Sequence, residues 1–304
     1  MKRYLIPLVV ILLFSVQLFA QDNETQPLKI SAFRDISAFI LESANQEGLI
    51  DVNVSYVKNA DEAHQDLLSG SSECVFMSYD DLLSLVLQDN NKDSEAMFPV
   101  HGGILYFCGE IDINKNKTQI GIDTNTGYAR ALRYYLHQKY PLSQQYNVLQ
   151  WKYVGATNLR AVLLQESKID ATLLNPPYSF TPKIPIIVRM YDAIGPYQGV
   201  VANVNKSWMS NKKNYQKFQN FESGYFKRVN EMKDNPEKTM NELMSYYKIS
   251  QSQAQQTYDS LWKEDGLNTS AIFNNDQLSG TEKIFSEDTS LKVPTNRTWI
   301  FKQN

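Results

Sequence analysis

One stretch, Asn158–Ser179 (NLRAVLLQESKIDATLLNPPYS), constrains the fold of this chain more than any other. Leu159, Val162 and Leu163 recur at helical spacing and define one apolar face. A polar corner follows, Glu166-Ser167-Lys168, and then Ile169–Leu174, which is too apolar for a surface strand. Asn175 ends the strand, and Pro176 and Pro177 come next; Asn as a cap with Pro at the first helical position predicts a new helix. The unit is helix, buried strand, helix start. In an open parallel sheet ligands sit beyond the carboxyl ends of the strands. Asn175 and Tyr178 are therefore candidate ligand contacts.

The same alternation opens the chain. Leu28, Ile30 and Ala32 alternate with polar partners as a first strand, and Ile36, Phe39, Ile40 and Leu41 carry a helix that ends near Gly48. Val52, Val54 and Tyr56 predict a second strand; Asn59–Glu62 opens a helix that Gly70 closes. Cys74–Met77 is a third, buried strand, and Ser78-Tyr79-Asp80-Asp81 caps the next helix. A β-α-β-α-β-α order implies right-handed crossovers and a parallel sheet. Its strand ends bring Arg34, Asp35, Ser78 and Tyr79 to one edge. Ser78 and Asp80 also suit plain helix capping, which is compatible with ligand contact. Asp81 is assigned to the helix dipole, and Arg34 suits either a ligand or solvent.

Met97–Phe107 is apolar but broken by His101-Gly102-Gly103, which suggests a turn and makes His101 a candidate contact. The polar segment 110–116 is the expected crossing to a second lobe. There, strand Thr118–Ile122 runs into Asp123-Thr124-Asn125-Thr126-Gly127 and then a helix with Ala129, Leu132 and Leu136 on one face. Such a turn binds an anion or an amide, with Asn125, Thr126 and Gly127 as the contacts or as mere caps. It is not a P-loop, since the Gly-Lys-Ser/Thr ending is missing. Strands at 148–154 and 184–190 follow, the latter ending in Tyr191-Asp192. Tyr197–Val204 is read as the return to the first lobe. Three amphipathic helices come next, and beyond Gly266 the chain reads as polar and irregular.

The spacing of Leu159, Leu164, Ile169-Asp170-Ala171, Leu173 and Pro176, in this order relative to the other segments, resembles the second lobe of periplasmic substrate-binding proteins. The likeness is to the alkanesulfonate, taurine, nitrate and thiamine-pyrimidine type, the soluble receptors of ABC importers, and covers roughly residues 27–265. It implies an α/β type II periplasmic binding protein, two Rossmann-like lobes with a hinge and a central cleft. Lobe 1 would be 27–108 plus 196–304, and lobe 2 would be 109–195. It also implies that the turn at Asn125–Gly127 touches ligand.

The start of the chain fits export. Lys2 and Arg3 precede an apolar run, Leu5–Phe14, and Ala20 stands at a plausible cleavage point, so residues 1–20 are read as a signal peptide and the mature protein as periplasmic. The formal charge is −3 with no basic block, which argues against nucleic acid as a partner. Cys74 and Cys108 are either bridged or two buried free thiols. The three histidines, His64, His101 and His137, have no metal spacing, and no nucleophile elbow is present. The expectation is a monomeric receptor, without cofactor or catalytic group. It would deliver a small polar molecule, of sulfonate or pyrimidine-like heteroaromatic type, to an ABC permease. The alternatives are a same-fold enzyme of pyrimidine-precursor synthesis and a sensor or adaptor protein. Arg34 and Asn125 are the positions at which truncation is expected to weaken binding.

Overall fold

A computed structural model describes residues 26–112, 117–141 and 147–301. The expected signal peptide lies outside them, as do residues 113–116 of the expected crossing. Strands β1 (Leu28–Ala32), β2 (Val52–Tyr56), β3 (Cys74–Ser78), β4 (Ser94–His101) and β10 (Val200–Asn205) form one sheet in the order β2-β1-β3-β10-β4. Strands β5 (Tyr106–Gly109), β6 (Thr118–Ile122), β7 (Leu149–Tyr153), β8 (Ala171–Leu174) and β9 (Ile186–Arg189) form the other, β7-β6-β8-β5-β9. The two orders match. Three parallel strands meet an antiparallel fourth, β10 in the first sheet and β5 in the second. That fourth strand is in each case the one that has just arrived from the other sheet, so each lobe completes its sheet with an incoming strand.

The helices of the first lobe are α1 (Ile36–Gln46), α2 (Ala60–Ser69) and the short α3 (Tyr79–Leu83). The second lobe has α4 (Tyr128–Lys139), α5 (Thr157–Gln165) and α6 (Met190–Ile194). After β10 come α7 (Lys206–Met209), α8 (Lys212–Asp234), α9 (Pro236–Tyr247), α10 (Gln251–Leu261) and α11 (Asn275–Thr289). Phe218, Phe221 and Tyr225 of α8 repeat at helical spacing and meet Phe76 and Phe98 from the sheet, with ring centroids 5.4–6.3 Å apart. This aromatic layer is the centre of the first lobe's core. Arg228, 1% exposed, is paired among the helices with Ser43, Glu47 and Glu242.

Several expectations are corrected. The chain crosses between sheets at residues 102–105, not at 110–116, so Tyr106–Cys108 belong to the second lobe rather than to the first. The break at Gly102-Gly103 is the crossing itself: Gly103 has φ +114°, and a Cβ on Gly199 of the return connection would lie 2.3 Å from the Gly103 nitrogen. Two backbones can pass this closely only where side chains are absent. Cys74 and Cys108 are both free and buried, one in each sheet.

Helix α5 turns the other way from the expected one. Leu159 and Val162 are 46% and 47% exposed, while Thr157, Arg160 and Ala161 face inward. Arg160 decides the orientation, since its Nε and Nη1 donate to the carbonyls of Leu173 (3.2 Å) and Gly155 (2.5 Å). No α-helix follows Asn175; there is a single 3-10 turn, Tyr178–Phe180. Thr181 precedes Pro182 and takes the extended conformation that a following proline imposes (ψ 130°), which cuts the turn short. The tail, conversely, is ordered: Asn274 caps α11 by accepting from the amides of Asp276 and Gln277. Its buried face mixes Leu278, Ile284 and Phe285 with Gln277 and Thr281, so apolar periodicity alone did not reveal it.

Candidate functional site

Four helices start where the two sheets face each other: α1 after β1, α3 after β3, α4 after β6 and α5 after β7. Their first residues enclose a cavity of about 40 Å³, little more than the space of one water molecule. The first lobe supplies Phe33, Asp35, Ser78 and Asp81, with Val200 at the start of β10. The second supplies Asp123, Gly127, Tyr128, Thr157, Arg160 and Asn175.

In the first wall both helix starts carry side-chain caps, Asp35 and Ser78. Asp35 accepts from the Ser37 amide (2.9 Å), and burial raises its carboxyl from the usual 3.8 to about 6. Ser78 Oγ accepts from the Asp81 amide (3.0 Å) and donates to Asp81 Oδ2 (2.6 Å). Asp81 is 3% exposed, and its Oδ1 has no hydrogen-bond partner.

The second wall is built differently. Gly127 sits at φ +58°, ψ −131°, and a Cβ there would come within 3.0 Å of Asp81 Oδ2. Burial raises the carboxyl of Asp123, against the opposing pull of Arg160 at 3.8 Å. The Tyr128 hydroxyl is buried without a partner. Its pKa stands well above the ordinary value because of burial and the nearby charges of Asp35, Asp81 and Asp123. Thr157 Oγ1 accepts from the Asn175 amide (3.2 Å), and Asn175 Nδ2 donates to the Gly103 carbonyl at the crossing (2.8 Å).

Beside the cavity the lobes are tied together. Asp80 Oδ1 of α3 accepts from the Gly127 amide (2.7 Å) and from Arg130 Nη1 of α4 (2.5 Å). Arg130 Nε also reaches Asp288 of α11 (2.8 Å), which pairs with Arg133 as well (2.9 Å). Burial dominates at Asp80 and raises its carboxyl to about 7 despite Arg130. On the other lobe α11 meets Tyr79, whose hydroxyl donates to Glu282 (2.8 Å). The C-terminal helix thus braces both lobes.

Of the residues expected at the site, the structure brings Asp35, Ser78, Gly127 and Asn175 together around the cavity. It places the others elsewhere. Arg34 is exposed and lies over the Tyr56 ring at 4.0 Å. Tyr79 is fully buried against Trp299 and Glu282. His101 is buried at the crossing, accepting from the Gly103 amide (3.0 Å), and burial holds its imidazole neutral, down to about 3. Asn125 is exposed; Thr126 pairs with Thr124 (3.2 Å); and Tyr178 donates to the Arg34 carbonyl (3.4 Å). The residues not anticipated are Asp81, Asp123, Tyr128, Thr157 and Arg160. One signal was available: Asp123 follows β6 much as Asp35 follows β1.

Two matched sheets, a double crossing and helix starts around a shared cleft define the fold of the periplasmic binding proteins. Solved structures agree with this. The ligand-binding component of an ABC-type import system from Staphylococcus aureus, with zinc bound, superposes with a TM-score of 0.72 at 13% identity, over 91% of this chain and 97% of that one. An ABC transporter structure from Parabacteroides distasonis gives 0.67 at 14% identity, over 92% and 100%. The periplasmic aliphatic sulphonate binding protein of Escherichia coli gives 0.62 at 13% identity, over 92% and 94%. No family model and no curated protein matches the sequence. Among the described residues no three His, Cys, Asp or Glu side chains come together as a metal site, and no helix is long and apolar enough to cross a membrane.

Proposed function

We propose that this protein is an extracytoplasmic solute receptor that closes its lobes on one small polar molecule and hands it to an ABC importer. The observation that carries this is the cavity's composition, drawn about equally from two topologically matched lobes that are joined by paired crossings and meet across the cleft through Asp80, Gly127 and Arg130. Lobes joined in this way hinge, and a ligand bound between them favours the closed state in proportion to its contacts with both. This reading assigns binding rather than catalysis to the cleft, because Asp35 serves there as a helix cap and Asp123 and Arg160 as partners of each other. Fold likeness to importer components supports the transport partner, and the apolar run before Ala20 supports export. A sulfonate ligand loses its intended partner, since Arg34 lies outside the cavity.

The test uses protein recovered after export of the full chain. Native mass spectrometry after incubation with low-molecular-weight medium extract should show a one-to-one small-molecule adduct, with compaction in X-ray scattering. Asp123→Asn combined with Arg160→Ala should lose both. An adduct that survives the double variant unchanged, or wild-type protein that neither binds nor compacts, overturns the reading.

A further inference from the structure

Most polar groups of the cavity already have partners: Ser78 Oγ–H donates to Asp81, Asn175 Nδ2 to the Gly103 carbonyl, and Arg160 Nε and Nη1 to two carbonyls. Two do not. The Tyr128 hydroxyl is buried without a partner, and Asp81 Oδ1 is buried, aimed at the Gly127 side of the cavity and likewise without one. Leaving a buried charged acceptor unpaired costs more than any single hydrogen bond returns, so a group that supplies a donor there is strongly favoured. Charge points the same way. Three carboxylates, Asp35, Asp81 and Asp123, face one guanidinium, Arg160. The starts of α1, α4 and α5 each add roughly half a positive charge, which offsets most of the remainder but supplies no donor to Asp81 Oδ1.

We infer that the cleft takes the protonated nitrogen of a small organic cation, an ammonium or amidinium group, seated on Asp81 and Tyr128 with Asp35 and Asp123 as counter-charges. This rests on the receptor reading above and assigns its ligand class. Such a head group donates N–H to Asp81 Oδ1 and to the Tyr128 hydroxyl, and a charge-assisted bond of this kind is about twice as strong as a neutral one. Only a head group fits the cavity at 40 Å³, so the body of the molecule must lie toward the cleft mouth or hold the lobes slightly apart.

Exported protein is titrated at neutral pH by calorimetry and thermal shift with putrescine, acetamidine and 4-aminopyridine, and in parallel with ethanesulfonate and acetate at equal ionic strength. The expected result is saturable binding of at least one N–H cation and none of the anions, with affinity falling tenfold or more in Asp81→Asn and in Asp123→Asn. Circular dichroism confirms that these variants fold, and choline, a cation without an N–H donor, should bind at least tenfold more weakly than the best probe. Binding of the anions alone overturns the ligand class and leaves the receptor reading standing. Cation affinity that is unchanged in both Asn variants overturns the seat. Absence of binding by every probe, together with no adduct in the extract experiment, overturns both readings.

Discussion

The two walls of the cleft have the same strand order behind them but finish their helices differently. In the first lobe α1 and α3 begin with side-chain caps of their own, Asp35 and Ser78. In the second lobe α4 and α5 begin at Gly127 and Ala156, and neither has a side-chain cap. The first wall is self-contained. The second is completed from across the gap, where Asp80 takes up the Gly127 amide and neutralises Arg130. The lesson is that opening the cleft costs the second lobe more than the first. Separation orphans a helix start and at the same time takes one of two carboxylates from a buried guanidinium. On the receptor reading proposed above, this arrangement favours a discrete closed state over a continuously adjustable gap.

Removing the cross-lobe partner should have the largest effect. Asp80→Ala leaves Arg130 with Asp288 as its one carboxylate and Ser84 Oγ as a neutral partner, and leaves the Gly127 amide with nothing; breaking a buried pair in this way costs about 3–5 kcal/mol. Urea unfolding measures it, and X-ray scattering should show a larger radius. A loss below about 1 kcal/mol would mean that α4 does not depend on the other lobe, and the contrast between the walls would fail. Next in size is a pH effect from the first wall. The Asp35 carboxyl ionises near 6 in the folded protein against 3.8 for the free group, so folding favours its protonated form. Its contribution is full below the unfolded value and is lost as pH rises through 6, by about 3 kcal/mol at 1.36 kcal/mol per pH unit. Asp80, raised to about 7, acts in the same direction. The urea midpoint measured from pH 4 to 8 should therefore have a shallower downward slope in Asp35→Asn than in the wild type. An identical slope would show that Asp35 is not buried as described.

A smaller pair of substitutions sharpens the same contrast. Ser78→Ala removes the cap of α3 and should cost about 1 kcal/mol. Thr126→Ala, just ahead of α4 in the second lobe, removes a hydroxyl that caps nothing and should change stability by less than about 0.5 kcal/mol. Equal losses at the two positions in thermal or urea unfolding would erase the distinction.

The capped lobe was the legible one. Asp35, Ser78 and the strands before them could be read because cap, strand and helix are neighbours in the chain and each needs only local chemistry. Gly127 and Asn175 were found for the same reason, as strand-end residues. Asp81 was assigned to the helix dipole, which is true of its amide and its Oδ2 but leaves out Oδ1, whose surroundings come from Gly127, nearly fifty residues away. Arg160 was hidden inside an apolar pattern. Leu159 and Val162 suggested the buried face of α5, yet a single guanidinium with carbonyls to reach turned the helix over. The position of the crossing was misread because Tyr106–Cys108 is apolar enough for either sheet, and only strand pairing assigns it. Helix α11 was missed because its inward face interrupts Leu278, Ile284 and Phe285 with polar contacts, such as the hydrogen bond from the Gln198 amide to Thr281 (2.8 Å), and with the close approach of Pro196 to Gly280.

The smallest expected effect on binding lies at Arg34, and it separates the structure from the expectation drawn from the sequence. Arg34 follows β1 by two residues and carries the charge a sulfonate would need, so truncating it should weaken binding if it faces the ligand. In the structure it is exposed, its guanidinium lies on Tyr56 at 4.0 Å, and only its backbone carbonyl takes part in a contact across the lobes, with Tyr178 at 3.4 Å. Arg34→Ala keeps that carbonyl. It should cost about 0.5–1 kcal/mol of stability from the lost cation–π contact and change ligand affinity less than twofold, while Asp81→Asn changes it tenfold or more. A tenfold loss in Arg34→Ala with little change in Asp81→Asn would reverse the roles of the two residues. The cleft would then close on its ligand with Arg34 turned inward, the first wall would be basic rather than acidic, and the ligand class would have to be an anion.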